Sequence, residues 1–142
     1  MIDPTGLAVA LAVLAAATVF GLLRARRDGR LRAASGSAAL RFSADELGDD
    51  LGARATLVQF STSFCANCPG TRRLLAEVAG TAEGVRVIEI DAESRLDLVR
   101  RADVMRTPTV LVLDRAGHLV RRSSGAPGRA ELLTAVELAT AV

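Results

Sequence analysis

The sequence contains no lysine, no tryptophan and no tyrosine, and only four phenylalanines. Its core must therefore be built from Val, Leu, Ile and Ala, with Phe as the only aromatic contributor. All of its basic residues are arginine, eighteen in number, which reads as the codon bias of a GC-rich genome and not as function. A zinc site usually takes four ligands, and beside the two cysteines the single histidine, His118, is the only other obvious one. With Cys65 and Cys68 as the only cysteines, one two-electron redox couple is the simplest chemistry available. The 142 residues, half of them apolar, have room for one ordinary domain plus an appendage.

The net charge of +2 is distributed unevenly. Residues 24–32 carry five Arg against one Asp, or +4, whereas from Arg41 to Val142 thirteen Arg meet fourteen acids, or −1, and Asp3 supplies the last −1. The basicity is thus a nine-residue patch outside the main domain. Nucleic-acid binding, which wants a basic face on the folded domain, is disfavoured.

Gly6 to Leu23 is a continuous apolar stretch in which Thr18 is the only polar residue. Eighteen helical residues span roughly 27 Å, enough to cross the hydrocarbon core of a bilayer. A cleaved signal peptide is the competing reading, but it wants positive charge before the apolar region, and here only Asp3 precedes it. Arg24, Arg26, Arg27, Arg30 and Arg32 follow instead. The positive-inside rule then places the N-terminus outside and the rest of the chain in the cytoplasm. Arginines that merely solubilise a linker are the alternative reading, and even so they would resist translocation; an extracytoplasmic domain is the other localisation left open. We expect a membrane anchor over 1–23, a basic and flexible linker over 24–39, with Ala33–Ala39 as a tether of small residues, and a folded domain over 40–142.

Within that domain Ser43-Ala44-Asp45-Glu46 reads as a capping box opening a short helix that Gly52 can end. A buried strand over 55–60 leads into the cysteine loop, and a helix follows as far as Gly80. Val85–Ile90 alternates as a strand, and Ser94 can cap the next helix. Thr109–Leu113 is a second buried strand, Asp114–Gly117 a hairpin turn, His118–Arg122 a more exposed returning strand, and a closing helix starts near Arg129. This order predicts an α/β domain, a mixed sheet flanked by helices.

The chemistry concentrates at Phe64-Cys65-Ala66-Asn67-Cys68 and Thr107-Pro108-Thr109. A thiolate at a helix N-terminus is stabilised by unpaired amides and the helix dipole, so Cys65 is expected to be the nucleophile. Cys68 lies one helical turn later, where residues three apart face each other. It can attack the mixed disulfide on Cys65 and release the reduced substrate, leaving a Cys65–Cys68 disulfide. The X-Pro bond at Thr107-Pro108 is a natural place for a cis peptide. It would present Thr107 and nearby backbone to the cysteines, where an extended peptide substrate can hydrogen-bond. Arg106 is a candidate for tuning substrate choice. Arg72 and Arg73 read as charges on a solvated helix face.

On these residues the chain resembles the thioredoxin family over roughly 40–142: strand Leu57-Val58-Gln59-Phe60, the C-x-x-C, Thr107-Pro108-Thr109 before Val110–Leu113, the turn at Gly117, and Gly125 before the last helix. The resemblance implies a thioredoxin fold, Cys65 as nucleophile, Cys68 as resolving cysteine and Pro108 as a cis-proline. The apolar anchor is similar to that of membrane-anchored bacterial members. Four positions depart from the family pattern. Phe64 stands for Trp, Ala66-Asn67 for Gly-Pro, and Gln59 for a buried Asp thought to help move the proton of the resolving cysteine. Gln59 cannot ionise, so resolution is expected to be slower or to use a water as relay. Pro69 fits a first helical turn, while Gly70 loosens it.

These readings predict a membrane-anchored thiol–disulfide oxidoreductase acting on protein disulfide or dithiol substrates, with an electron donor or acceptor of unknown identity. It would need no cofactor beyond its own cysteine pair. A cytoplasmic domain favours a reductase; a domain outside would favour oxidative folding, or reduction during cytochrome c or envelope-protein assembly. Two other readings stay open. One is a redox-silent interaction module. The other is metal handling by the cysteines with His118, although copper-delivering thioredoxin-fold proteins use a longer C-x-x-x-C spacing.

Overall fold

A computed structural model describes residues 4–33 and 40–142. Residues 34–39, most of the expected tether, lie outside the described part.

The apolar N-terminal stretch forms α1 (Pro4–Arg27), all of whose residues are exposed. At 24 residues it is about 36 Å long. It is long and apolar enough to cross a membrane, a property that signal sequences share. The helix does not stop at Leu23 but carries Arg24, Arg26 and Arg27 in its last turn, where cations meet the negative end of the dipole. After a turn at Gly29 the chain forms a two-residue edge strand, β1 (Arg32–Ala33). Part of the stretch expected to be a linker is thus paired to the sheet.

The domain continues with α2 (Ala44–Leu47), β2 (Ala55–Ser61), α3 (Cys68–Gly80), β3 (Val85–Asp91), α4 (Leu96–Arg101), β4 (Thr109–Asp114), β5 (Leu119–Ser124) and α5 (Arg129–Thr140). The sheet order is β1-β5-β4-β2-β3, parallel between β2 and β3 and antiparallel elsewhere. The expected mixed sheet flanked by helices is therefore observed.

Side chains alternate along the strands, and the two central strands bury both faces. Val58 and Phe60 of β2 join Leu111 and Leu113 of β4, Phe42, Leu47 and Leu98 on one side. Leu57 of β2 and Val110 and Val112 of β4 join Leu75, Val78, Leu132 and Val136 on the other. Every residue of β2 and β4 is buried, which is why both strands read as nearly continuous apolar runs. With so few aromatic residues, only Phe42 and Phe60 bring rings to this core.

Two local expectations need correction. The helix α2 opens on the Ser43–Glu46 capping box as expected, but it ends at Gly48. Gly48 adopts φ 76°, and its amide donates to the Ala44 carbonyl at 2.8 Å, so the left-handed cap comes four residues before Gly52. Gly52 serves a different purpose: a Cβ there would meet the Ala55 carbonyl oxygen at 2.0 Å. Ser94 does not cap α4. Its hydroxyl donates back to the Asp91 carbonyl at 3.3 Å, and the cap position falls to Arg95, which makes no side-chain cap bond.

Gly48 and Gly117 both have positive φ, but a Cβ at Gly48 meets open space whereas one at Gly117 meets the Phe42 carbonyl oxygen at 2.1 Å. Gly48→Ala should cost about 1 kcal/mol, the left-handed strain alone. Gly117→Ala must also move backbone and should cost about 2–4 kcal/mol. Urea unfolding of the two variants checks the order; equal losses would contradict it.

Candidate redox site

The cysteine pair sits where β2 hands the chain to α3. Strand β2 ends at Ser61, and the loop is tied to the next crossover by Glu93, whose Oε2 accepts from the Ser63 amide (3.3 Å) and hydroxyl (2.8 Å). Cys65 and Cys68 form a disulfide, with Cα atoms 5.4 Å apart. The helix begins at Cys68, so Cys65 precedes it instead of opening it. The two are joined by a turn in which the Cys68 amide donates to the Cys65 carbonyl at 3.3 Å.

This start leaves fewer free donors than a regular helix N-terminus. The Cys68 amide is already used, and Pro69, in the first turn, has none. The support available to a Cys65 thiolate is correspondingly reduced.

The two sulfurs differ in access. Cys65 is half-buried and Cys68 is 2 % exposed. Only the first can meet a bulky partner in solution; the second is held behind it for an intramolecular reaction. Phe64, the residue before Cys65, is 93 % exposed.

The Thr107-Pro108 bond is cis. Pro108 is buried, and its carbonyl accepts from the Gly125 amide at 2.7 Å. The half-buried Thr107 shares a hydrogen bond of 3.3 Å with Thr62, three residues before Cys65. The two segments singled out in the sequence, 42 residues apart from Cys65 to Thr107, thus come together. Met105, 83 % exposed, belongs to the same loop. Sequence reasoning missed Thr62 and Met105; neither carries a local pattern that marks it.

Gln59 is fully buried on the α3 side of β2, and its Nε2 donates to the Cys68 carbonyl at 3.1 Å. Its Oε1 has no hydrogen-bond partner among the described residues. The side chain thus holds the backbone of the second cysteine without being able to take up or release a proton.

Arg72 lies on a solvated helix face as expected, and there it grips Glu89 of β3 through Nε (2.6 Å) and Nη2 (2.5 Å), while the Ser61 hydroxyl donates to the same carboxylate at 2.7 Å. The Arg72 hydrogen bond, against the opposing effect of partial burial and with help from Ser61, holds the Glu89 carboxyl below its usual range. Arg106 likewise is not free to meet a substrate: it donates to both carboxylate oxygens of Asp28, at 2.9 and 2.6 Å.

His118 is not brought to the cysteines. Its ring lies 3.3 Å from the Asp114 carboxylate in the β4–β5 turn. Pro108 precedes the opposite end of the six-residue β4, roughly 20 Å away. The metal reading therefore lacks its third ligand at this site.

Two outcomes follow from this geometry. Gln59→Asp puts a buried carboxyl behind Cys68, which burial pushes upward. The pH profile of thiol–disulfide exchange should then gain an inflection above the ordinary carboxylate range that the parent lacks; superimposable profiles would contradict the placement. Glu89 has a depressed folded-state pKa, so its contribution to stability is present above the ordinary glutamate range and lost as pH falls through the folded value. Glu89→Gln should therefore lower the urea midpoint at neutral pH, by the modest amount expected of a half-exposed pair, and leave it unchanged in strong acid.

The thioredoxin family model matches residues 41–138. No curated protein sequence matches the chain. Among solved structures, a mutant thioredoxin from Halobacterium salinarum is 21% identical, with a TM-score of 0.56, over 61% of this chain and 75% of that one. Oxidised thioredoxin from Plasmodium falciparum is 20% identical, with a TM-score of 0.52, over 61% of this chain and 82% of that one. Mitochondrial thioredoxin 3 from Saccharomyces cerevisiae, also oxidised, is 19% identical, with a TM-score of 0.52, over 59% and 77%. At these identities the structures attest the fold, and the family rests on the sequence model that spans most of the chain. With its sheet order, its paired cysteines and a domain match over 41–138, the chain belongs to the thioredoxin family.

Proposed function

We propose that the protein is a membrane-anchored thiol–disulfide oxidoreductase that reduces disulfides in protein substrates. The observation that carries this reading is the asymmetry of the pair: a half-buried Cys65 bonded to a Cys68 that is 2 % exposed, next to the cis Thr107-Pro108 bond.

In the reduced protein the Cys65 thiolate attacks one sulfur of a substrate disulfide. A mixed disulfide forms, and the other substrate sulfur leaves as a thiolate that takes a proton. Cys68 then loses its proton and attacks the Cys65 sulfur, which breaks the mixed disulfide and closes the Cys65–Cys68 bond. Two electrons pass from the cysteine pair to the substrate. A donor dithiol must restore the pair, and no other redox group is required. Thr107 and Pro108 line the approach to Cys65, where an extended peptide would lie; exposed Phe64 and Met105 offer it apolar contact.

The apolar α1 serves as the anchor in this reading. Its C-terminal arginines, Arg24, Arg26 and Arg27, with Arg30 and Arg32 after it, favour a cytoplasmic domain by the positive-inside rule. In that compartment thiols are kept reduced, which supports the reductase direction.

The test is trapping. Incubated with a disulfide-containing protein, Cys68→Ser should accumulate a mixed disulfide through Cys65, visible as a reductant-sensitive adduct. Cys65→Ser should form none and should drop the steady-state rate to the uncatalysed level. Absence of turnover by the unaltered protein would instead support an interaction module that keeps the fold without the chemistry.

A further inference from the structure

The junction between α1 and the domain holds a second site. A cavity of about 380 Å³ is lined by Phe20, Leu23, Arg24, Arg27, Asp28, Arg32 and Arg106. Three separate parts of the chain build it: the last turns of α1, the start of β1, and the loop before the cis peptide bond. Phe20, Leu23, Arg24 and Arg27 share one face of the helix, being three or four residues apart.

Residues 28–33 are fastened to the domain, so this wall is held in place. Asp28 takes both hydrogen bonds from Arg106. The Gly29 amide donates to the Ser124 carbonyl at 2.9 Å, and the Ser123 hydroxyl donates to the Gly29 carbonyl at 2.8 Å. Arg32 and Ala33 pair with Arg122 and Arg121 of β5. Gly29 is needed for this fit: at φ 81° a Cβ would meet the Ala126 carbonyl oxygen at 2.1 Å.

The charge around the cavity does not balance. Four guanidinium groups face one carboxylate, four minus one giving +3. The Arg106 hydrogen bonds, aided by the nearby charges of Arg24 and Arg32, hold the Asp28 carboxyl below its usual range, so that single anion is already fully engaged. Gathering like charges is unfavourable unless a counter-ion joins them. Guanidinium forks suit phosphate oxygens. Beside Arg24 and Arg27 on that helix face the lining is apolar: Phe20 is 67 % and Leu23 51 % exposed, and they continue into the face of a helix long enough to span a bilayer.

We propose that this cavity binds a phosphate-bearing anion, with Arg24, Arg27 and Arg32 on its oxygens and Phe20 and Leu23 against an apolar tail where it has one. The apolar wall favours a lipid headgroup as the source, an assignment that rests on the reading of α1 as a membrane anchor. Occupancy would fasten residues 28–33 to the domain more tightly, next to the loop that carries Thr107 and Pro108.

The full chain, in nanodiscs of phosphatidylcholine mixed with phosphatidylglycerol, is released into native mass spectrometry and its retained phospholipid identified. Phosphatidylglycerol should be kept in preference to phosphatidylcholine. Arg24→Gln with Arg32→Gln should lower that retention about thirtyfold, the paired Lys replacements should keep most of it, and disulfide reduction should be unchanged. In lipid-free detergent, inorganic phosphate is added and the thermal midpoint followed. A rise in the parent but not in the Gln variant supports the site with free phosphate as a sufficient ligand; retention of phosphatidylglycerol with no phosphate response supports it with lipid as the source. No selective retention and no phosphate response overturns it. A chain that fails to enter the nanodiscs contradicts the anchor reading separately, and the phosphate arm then decides the site.

Discussion

Burial of β2 on both faces is the constraint on which the rest of the structure depends. The strand lies between β3 and β4, and all seven of its residues are buried. Burial of that kind, at roughly 25 cal/mol per Å² of apolar surface, fixes the strand's register against both neighbours. The register in turn fixes which face each residue meets. Val58 and Phe60 go to the α4 side and Leu57 to the α3 side. Gln59 is then directed beneath α3, where it holds the Cys68 carbonyl. A one-residue slip would exchange these faces and remove the support of the second cysteine. The strand ends at Ser61, and the cysteines follow within a few residues. Their different exposure is a consequence of where the core stops.

Much of this was legible in the sequence because it rests on period and on punctuation. Strands β2 and β4 are nearly continuous apolar runs, β3 alternates, and Gly80 and Gly117 stand where α3 ends and the β4–β5 turn closes. The pairing of the cysteine loop with Thr107-Pro108 could be read from two short segments because their combination at this distance is specific where each alone is not. What escaped the reading involves contacts with no local signal. Arg106 meets Asp28 across 78 positions, and Ser63 meets Glu93 across 30. A two-residue strand such as β1 has no periodicity to detect. The choice of Gly48 over Gly52 as the end of α2 was hidden for another reason: both are glycines near a helix end, and only the three-dimensional crowding at Gly52 separates them. The start of α3 at Cys68 was obscured because a C-x-x-C reads equally well as the first turn of a helix or as a turn before one.

The junction after α1 changes how the two parts of the chain relate. A flexible tether starting at Arg24 would let the domain sample many orientations. Here α1 runs to Arg27, and residues 28–33 are bonded to β5 and to the loop before Pro108. The end of the apolar helix and the cysteine site therefore share the Arg106 loop as a common neighbour.

The central claim is that Cys65 and Cys68 exchange two electrons reversibly. The most direct measurement is a redox titration of the full chain in detergent with glutathione buffers, counting alkylated thiols by mass at each poise. A single reversible transition is expected, in which both thiols appear or disappear together, at a low potential suited to a reductase. Thiols that never pair at any poise, or that react independently of each other, would contradict it.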